Sequence, residues 1–345
     1  VYTIQVTQTQ DRSQEPLFAF DVNVELNFPN APREVRRFHL ASADTTLRFR
    51  VPEKPSFVRF DEGNWLFADI ALTQPVDELV AMSAADDEMA GRYDGVDALA
   101  DLPENPVVRQ ALVAALTDIH PKVRERAAEA LEDYIRAPGV AEALARRIRD
   151  PEASVRGTAL DALSTTENTG LLESTLREAL ADSSYGVVAA AIRLYAARFP
   201  EQAYDAYEAE GLPELTSWNG VVEQALMQAI GTLRDERGGT VLLARVGPNN
   251  PDAVRAAGAA GIQVLALDHA VLREPAREAY RTYLDDRLEA VRLAVVRGLA
   301  RFGEASDIAR LEERLEVEES DEVKAALRMA LGQIRSRQSG TQLDQ

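Results

Sequence analysis

Three histidines, His39, His120 and His269, are the side chains best suited to bind a transition metal or move a proton near neutral pH. They are isolated from one another, and none belongs to an H-E-x-x-H pair or another metal spacing. They read as surface residues of turns and strands. The chain has no cysteine, which removes disulfides, thiolate zinc sites and cysteine nucleophiles together. No G-x-S-x-G elbow, P-loop or dinucleotide fingerprint occurs. Carboxylates are dense, so adjacent acids such as Asp86 and Asp87 are what any solvated acidic surface shows. No catalytic, cofactor-binding or metal residue is assigned, and this chain alone is not expected to be an enzyme. The chemistry that does recur is a column of cations, Arg92, Arg124, Arg156, Arg255, Arg292 and Lys324. Guanidinium groups at a fixed repeat spacing are expected to pair with neighbouring carboxylates rather than with a ligand.

What positions that column is a repeated helical unit. Asp118, Val123, Arg124, Ala127 and Leu131 recur 32 residues later as Asp150, Val155, Arg156, Ala159 and Leu163. Valine, alanine and leucine at i, i+4 and i+8 lie along one stripe of a helix and face a neighbour. The stripe returns as Val187/Ala191/Tyr195, Val222/Leu226/Ile230, Val254/Gly258/Ile262, Val291/Val295/Leu299 and Val323/Leu327/Leu331. A worn copy precedes them, with Asp86, Gly91, Arg92, Gly95 and Leu99. The residue five before each valine (Asp118, Asp150, Asp182, Ser217, Asn249, Asp286, Glu318) is expected to cap the helix. Eight starts follow steps of 32, 32, 32, 35, 32, 37 and 32 residues, the longer ones needing only extra loop. A second helix lies between copies, clearest over residues 140–149 with Val140, Leu144 and Ile148 on one side. Two helices per unit, with Asp ahead of a Val-Arg pair, resembles a HEAT repeat. Such self-similarity implies a mainly α, α-α superhelical solenoid over residues 61–338, with 339–345 a frayed polar tail.

The first sixty residues alternate with period two instead. Tyr2, Ile4 and Val6, then Phe18, Phe20, Val22, Val24 and Leu26, then Leu47, Phe49 and Val51 mark half-buried strands. With residues 35–40 and 57–60 they predict about five strands, a small antiparallel β-sandwich unit over 1–60. Its size is marginal for an independent core, so it is expected to pack on a neighbour. Trp65, Leu66, Phe67 and Ile70 are expected to open the first helical period, with Trp65 as anchor between the two parts. A chain that starts at Val1 in mid-strand reads as part of something longer.

The chain has 345 residues and a formal charge of −19, which argues against nucleic acid as partner. Only Lys54, Lys122 and Lys324 are lysines, the remaining cations being arginines. That bias fits a salt-loving source, or an ordinary solvated acidic surface. No apolar run reaches the ~20 residues that span a bilayer, so a soluble protein, cytoplasmic or periplasmic, with no membrane partner is expected.

The order of parts carries a second resemblance. A strand with Val6-Thr7-Gln8-Thr9-Gln10, a compact β unit, Phe57-Val58-Arg59-Phe60-Asp61 with Trp65-Leu66, and then helical repeats resembles the C-terminal part of aminopeptidase N-type zinc metallopeptidases. The family's zinc motif and its G-x-M-E-N motif are missing from this sequence. The resemblance implies a non-catalytic segment that closes over the catalytic domain of the same polypeptide and limits peptide access. It also implies zinc in that parent domain and none here, with peptide substrates on the concave face, on the second helices of the pairs. Two other readings stand beside it. One is a free-standing HEAT-repeat adaptor that binds protein partners. The other is an enzyme built on HEAT repeats, such as the DNA glycosylases or bilin lyases.

Overall fold

The computed structural model describes residues 1–343 apart from 12, 14, 72, 86, 87, 104 and 216, and side chains through residue 339. Five strands lead: β1 (Tyr2–Thr7), β2 (Phe20–Asn27), β3 (Glu34–Leu40), β4 (Asp44–Phe49) and β5 (Phe57–Phe60). They form two antiparallel sheets, β1-β4 and β3-β2-β5. Tyr2 stands opposite Phe49, and Val24 opposite both Arg36 and Phe60. The alternation puts Val22, Val24, Leu26, Leu47, Phe49 and Val58 into one core between the sheets.

None of the described residues among 61–75 is helical, contrary to the expectation that a helix opens at Trp65. Left-handed backbone at Asp61, Gly63 and Asn64 turns the chain, and the Asp61 carboxylate accepts the Leu66 N–H at 2.8 Å. Leu66 packs on the β core, whereas Trp65 is 81 % exposed and anchors nothing. The β unit does pack on the helices behind it. Arg59 reaches from β5 to Glu88 at 2.5 Å, Tyr2 donates to Glu78 at 2.6 Å, and Gln74 donates to the Val58 carbonyl at 2.8 Å. Burial, reinforced by the Glu78 carboxylate, holds the Tyr2 phenol well above the usual tyrosine range.

Sixteen α-helices follow among the described residues. The helices that carry the Val-Arg template, here the first helices, are α2 (Met89–Ala100), α4 (Pro121–Ala130), α6 (Ala153–Leu163) and α8 (Tyr185–Arg198). They continue as α10 (Val221–Thr232), α12 (Asp252–Asp268), α14 (Glu289–Phe302) and α16 (Asp321–Leu343). All eight expected starts are therefore helical, although Asp86 of the worn copy lies outside the described residues. The second helices are α3 (Pro106–Ala115), α5 (Val140–Ala145), α7 (Thr169–Leu180), α9 (Pro200–Ala209), α11 (Gly238–Arg245), α13 (Arg273–Tyr283) and α15 (Ile308–Val317), with α1 (Val76–Ser83) ahead of the array. Proline opens α3, α4 and α9, where its missing N–H costs nothing. The tail expected to fray is instead helical to Leu343, with Asp344 and Gln345 outside the described residues.

The chain divides into two compact units, Val1–Asn168 and Thr169–Gln345. Within each, the valine and leucine columns are fully buried, as Val123, Leu131, Val155, Val254, Val291 and Leu327 show. Glycine sets the closest approaches. A Cβ on Gly231 of α10 would lie 2.6 Å from the Gly261 backbone of α12, and one on Gly298 of α14 would lie 2.0 Å from the Tyr280 ring of α13.

Candidate interaction face

The Arg column forms a ladder. Arg124 Nε and Nη2 donate to both oxygens of Asp150 at 2.8 and 2.6 Å, while its Nη1 donates to the Asp118 and Ile119 carbonyls at 2.9 and 3.2 Å. Arg92 grips Asp118 with the same fork at 2.6 and 3.1 Å, and Arg292 grips Glu318 at 2.8 Å on both oxygens. Arg255 pairs with Asp286 and donates to the Val246 carbonyl at 3.0 Å. Lys324, in the last copy, reaches its own Glu319 carbonyl at 3.3 Å.

The acids are not N-caps in the strict sense. Each accepts the N–H two residues on: His120 on Asp118 at 2.7 Å, Glu152 on Asp150 at 3.0 Å and Leu288 on Asp286 at 2.9 Å. One oxygen thus shapes the turn while the carboxylate receives the preceding copy's arginine. Burial would raise Asp118 and Asp150, but the arginine fork and the backbone N–H outweigh it and hold both below the usual carboxylate range. The Arg292 fork holds Glu318 far below that range. The column has two gaps, Val188 and Glu223. Buried Glu223 reverses the polarity by accepting the Ser217 N–H at 2.5 Å and its hydroxyl.

The histidines stay apart. His39 on β3 meets Asp21 at 2.8 Å, His120 caps α4 by accepting the Lys122 N–H at 3.2 Å, and His269 meets the Arg234 carbonyl at 2.7 Å. Among the described residues, no group of three or more His, Cys, Asp or Glu is placed to hold a metal ion.

With the ladder buried, each first helix turns a second side outward, centred six residues after the template valine. In the first unit that position holds Asp97, Glu129 and Asp161. Asp94 adds a half-buried carboxyl that burial and the neighbouring Asp97 and Asp61 raise, against the pull of Arg59. Arg126 bridges Asp97 at 2.6 Å and Glu129 at 3.3 Å, and Lys122 meets Glu125 at 2.9 Å. In the second unit the same position holds Arg193, Gln228, Ala260, Arg297 and Met329. The character of the row changes from acidic to neutral and basic. The second helices look ordinary by comparison: α9 exposes Glu201, Asp205 and Glu208, and α15 exposes Glu312, Glu313 and Glu316. In the sequence this contrast is visible only down the sixth residue after each valine, a position that carries no hydrophobic signal.

These features match what is known elsewhere. A family model described as HEAT repeats matches residues 76–164 and 109–197. Among curated proteins, none matches this sequence. Solved structures of similar fold include YibA of Escherichia coli (20 % identity over 70 % of this chain and 86 % of that one, TM-score 0.47). The karyopherin Kap121p, bound to the extreme C-terminus of the phosphatase Cdc14p, is 16 % identical over 75 % of this chain and 33 % of its own, with TM-score 0.45. The CpcE–CpcF complex of phycocyanin lyase from Nostoc is 16 % identical over 67 % of this chain and 95 % of that one, with TM-score 0.39. The fold is a HEAT-like α-solenoid preceded by small antiparallel sheets.

The HEAT-repeat match overturns the resemblance to the C-terminal part of aminopeptidase N-type peptidases. The family model that fits is the HEAT repeat. The residues that carried the likeness have local structural jobs instead: Val6 packs on the β core, Phe57 and Val58 are buried, and Asp61 caps a turn. The parent catalytic domain, its zinc and the role over a peptidase cleft rested on that likeness alone. Among the described residues no helix is long and apolar enough to cross a membrane.

Proposed function

We propose that this chain is a HEAT-repeat scaffold that binds protein partners along the outward side of its first helices. The observation that carries the reading is the row six residues after each template valine. Buried arginine forks set the helices of Arg92, Arg124 and Arg292, and the row changes along the array, whereas second helices such as α9 and α15 both expose acids. Stacked helices that, within each unit, expose one side chain per copy suit an extended partner better than a compact small molecule. The acidic row of the first unit repels phosphate, so a polypeptide is favoured over nucleic acid.

The test is site-specific photocrosslinking in a native extract. A photoreactive residue at Glu129 in the first unit, or at Gln228 in the second, is expected to capture a defined protein, while one at Glu208 or Glu313 on second helices captures none. Capture that is equal from both sets, or lacking from the first, refutes this assignment.

A further inference from the structure

The solvent side of α12 is chemically out of place. Ala253, Ala257, Ala260, Val264 and Leu267 are spaced 4, 3, 4 and 3 residues apart, directly opposite the buried stripe of Val254, Gly258, Ile262 and Leu265. Val264 is 46 % exposed and Leu267 45 %. Gln263 is the one polar side chain on that side between Asp252 and Asp268. A helix apolar all round belongs in an interior, and a 4-3 apolar seam is the spacing with which one helix receives another. The small residues at its start allow a close approach, and Val264 and Leu267 supply the apolar contact at its end.

The flanks say what kind of helix fits. On the α10 side stand Gln224, Gln228 and Thr232, all uncharged. On the α14 side stand Leu293, Arg297 and Arg301, the two arginines one turn apart. Arg193 lies further out on α8, Glu322 pairs with Arg297 at 3.0 Å, and Glu289 at the start of the α14 stripe accepts the Ser320 hydroxyl at 2.6 Å, which leaves Arg301 at the far end facing no acid of that stripe. In a chain of 57 acidic and 38 basic residues, an outward side this poor in acid is a local inversion of charge. The same side of the first unit is acidic, so the inversion is confined to the second.

We propose that the α12 seam of the second unit docks an amphipathic helix whose one polar edge is acidic. Its apolar edge lies on the 253–267 stripe, about 21 Å long. Glutamate or aspartate at i, i+4 on one flank meets Arg297 and Arg301, and uncharged polar groups on the other flank meet the glutamines of α10. The inference rests on the scaffold reading and adds to it a place and a partner chemistry.

The test uses the full chain and two synthetic helical peptides with leucine at 4-3 spacing. One carries glutamate on one edge and glutamine on the other, and its counterpart carries lysine for glutamate. Fluorescence anisotropy is expected to show the acidic peptide binding at least about tenfold more tightly than the basic one. The Val264→Asp/Leu267→Asp variant, both sites being exposed, is expected to keep its helical circular dichroism and lose about tenfold or more in affinity. Arg297→Glu/Arg301→Glu is expected to turn the preference toward the lysine peptide. Equal binding of both peptides, no binding of either, or an unaffected aspartate variant overturns the proposal. So does concentration-dependent self-association that Val264→Asp abolishes, since a second copy then occupies the seam. Failure of the peptides with crosslinking retained at Glu129 overturns this inference alone; loss of crosslinking there overturns the scaffold reading as well.

Discussion

At Arg124 one side chain serves two copies of the repeat. Its fork neutralises buried Asp150 of the next copy, and its remaining nitrogen satisfies carbonyls of its own. Arg124→Ala leaves that carboxylate buried without its cation, so a loss of about 3 kcal/mol in urea unfolding is expected. Lys122→Ala removes an exposed pair with Glu125 and is expected to cost under about 1 kcal/mol. The ladder also dictates the response to acid. Asp118, Asp150 and Glu318 have folded values below their ordinary 3.8 and 4.5. Their contribution is present above those ordinary values and is lost as pH falls through the lowered folded ones. Urea midpoints are therefore expected to fall steeply below about pH 4. Asp150→Asn is expected to start lower at pH 6 and to fall less. A variant with the same steepness as the parent would remove Asp150 from that account.

At the scale of elements, glycines divide into those that let helices touch and those that do not. Gly231→Ala places a methyl 2.6 Å from the Gly261 backbone, so α10 and α12 must separate, at an expected cost of about 1–3 kcal/mol. Gly157→Ala in α6 meets open space and is expected to stabilise by about 0.5–1 kcal/mol. Differential scanning calorimetry of the two variants checks the opposite signs. The first helices were legible in the sequence because valine, alanine and leucine at i, i+4 and i+8 state their burial outright, and so was the Arg–acid pairing. Strands β1 to β5 were legible for the equivalent reason, a period of two. Residues 61–75 were not, since Trp65, Leu66, Phe67 and Ile70 mimic a helical period while Gly63, the left-handed Asp61 and Asn64, and Pro75 deny it the backbone. Nor was the α12 seam. An apolar residue on a helix reads as core until the structure shows that the opposite side already fills the core.

Across the whole molecule the charge of −19 is the largest uncompensated electrostatic term. Self-repulsion of that size is screened by salt, so the melting temperature at pH 7 is expected to rise from about 0.05 M to about 0.5 M NaCl. A flat response would mean that local pairs already balance the field. The acids are not spread evenly: the outward row is acidic in the first unit and turns neutral and basic in the second. One chain therefore presents two chemistries at one repeat spacing. The rungs of the ladder have a further consequence. Outside the two gaps the joint is a plug and socket, a guanidinium entering a carboxylate that folds its own turn, and the plug belongs to one copy and the socket to the next. The step of 37 residues is accommodated because the extra loop leaves both Arg255 and Asp286 in place, and the step of 35 falls at the gap of Val188. The array can therefore be lengthened or shortened by whole copies. Excising residues 119–150, which joins Asp118 to Pro151, would offer Arg92 the socket it already uses and leave Arg156 where Arg124 had been.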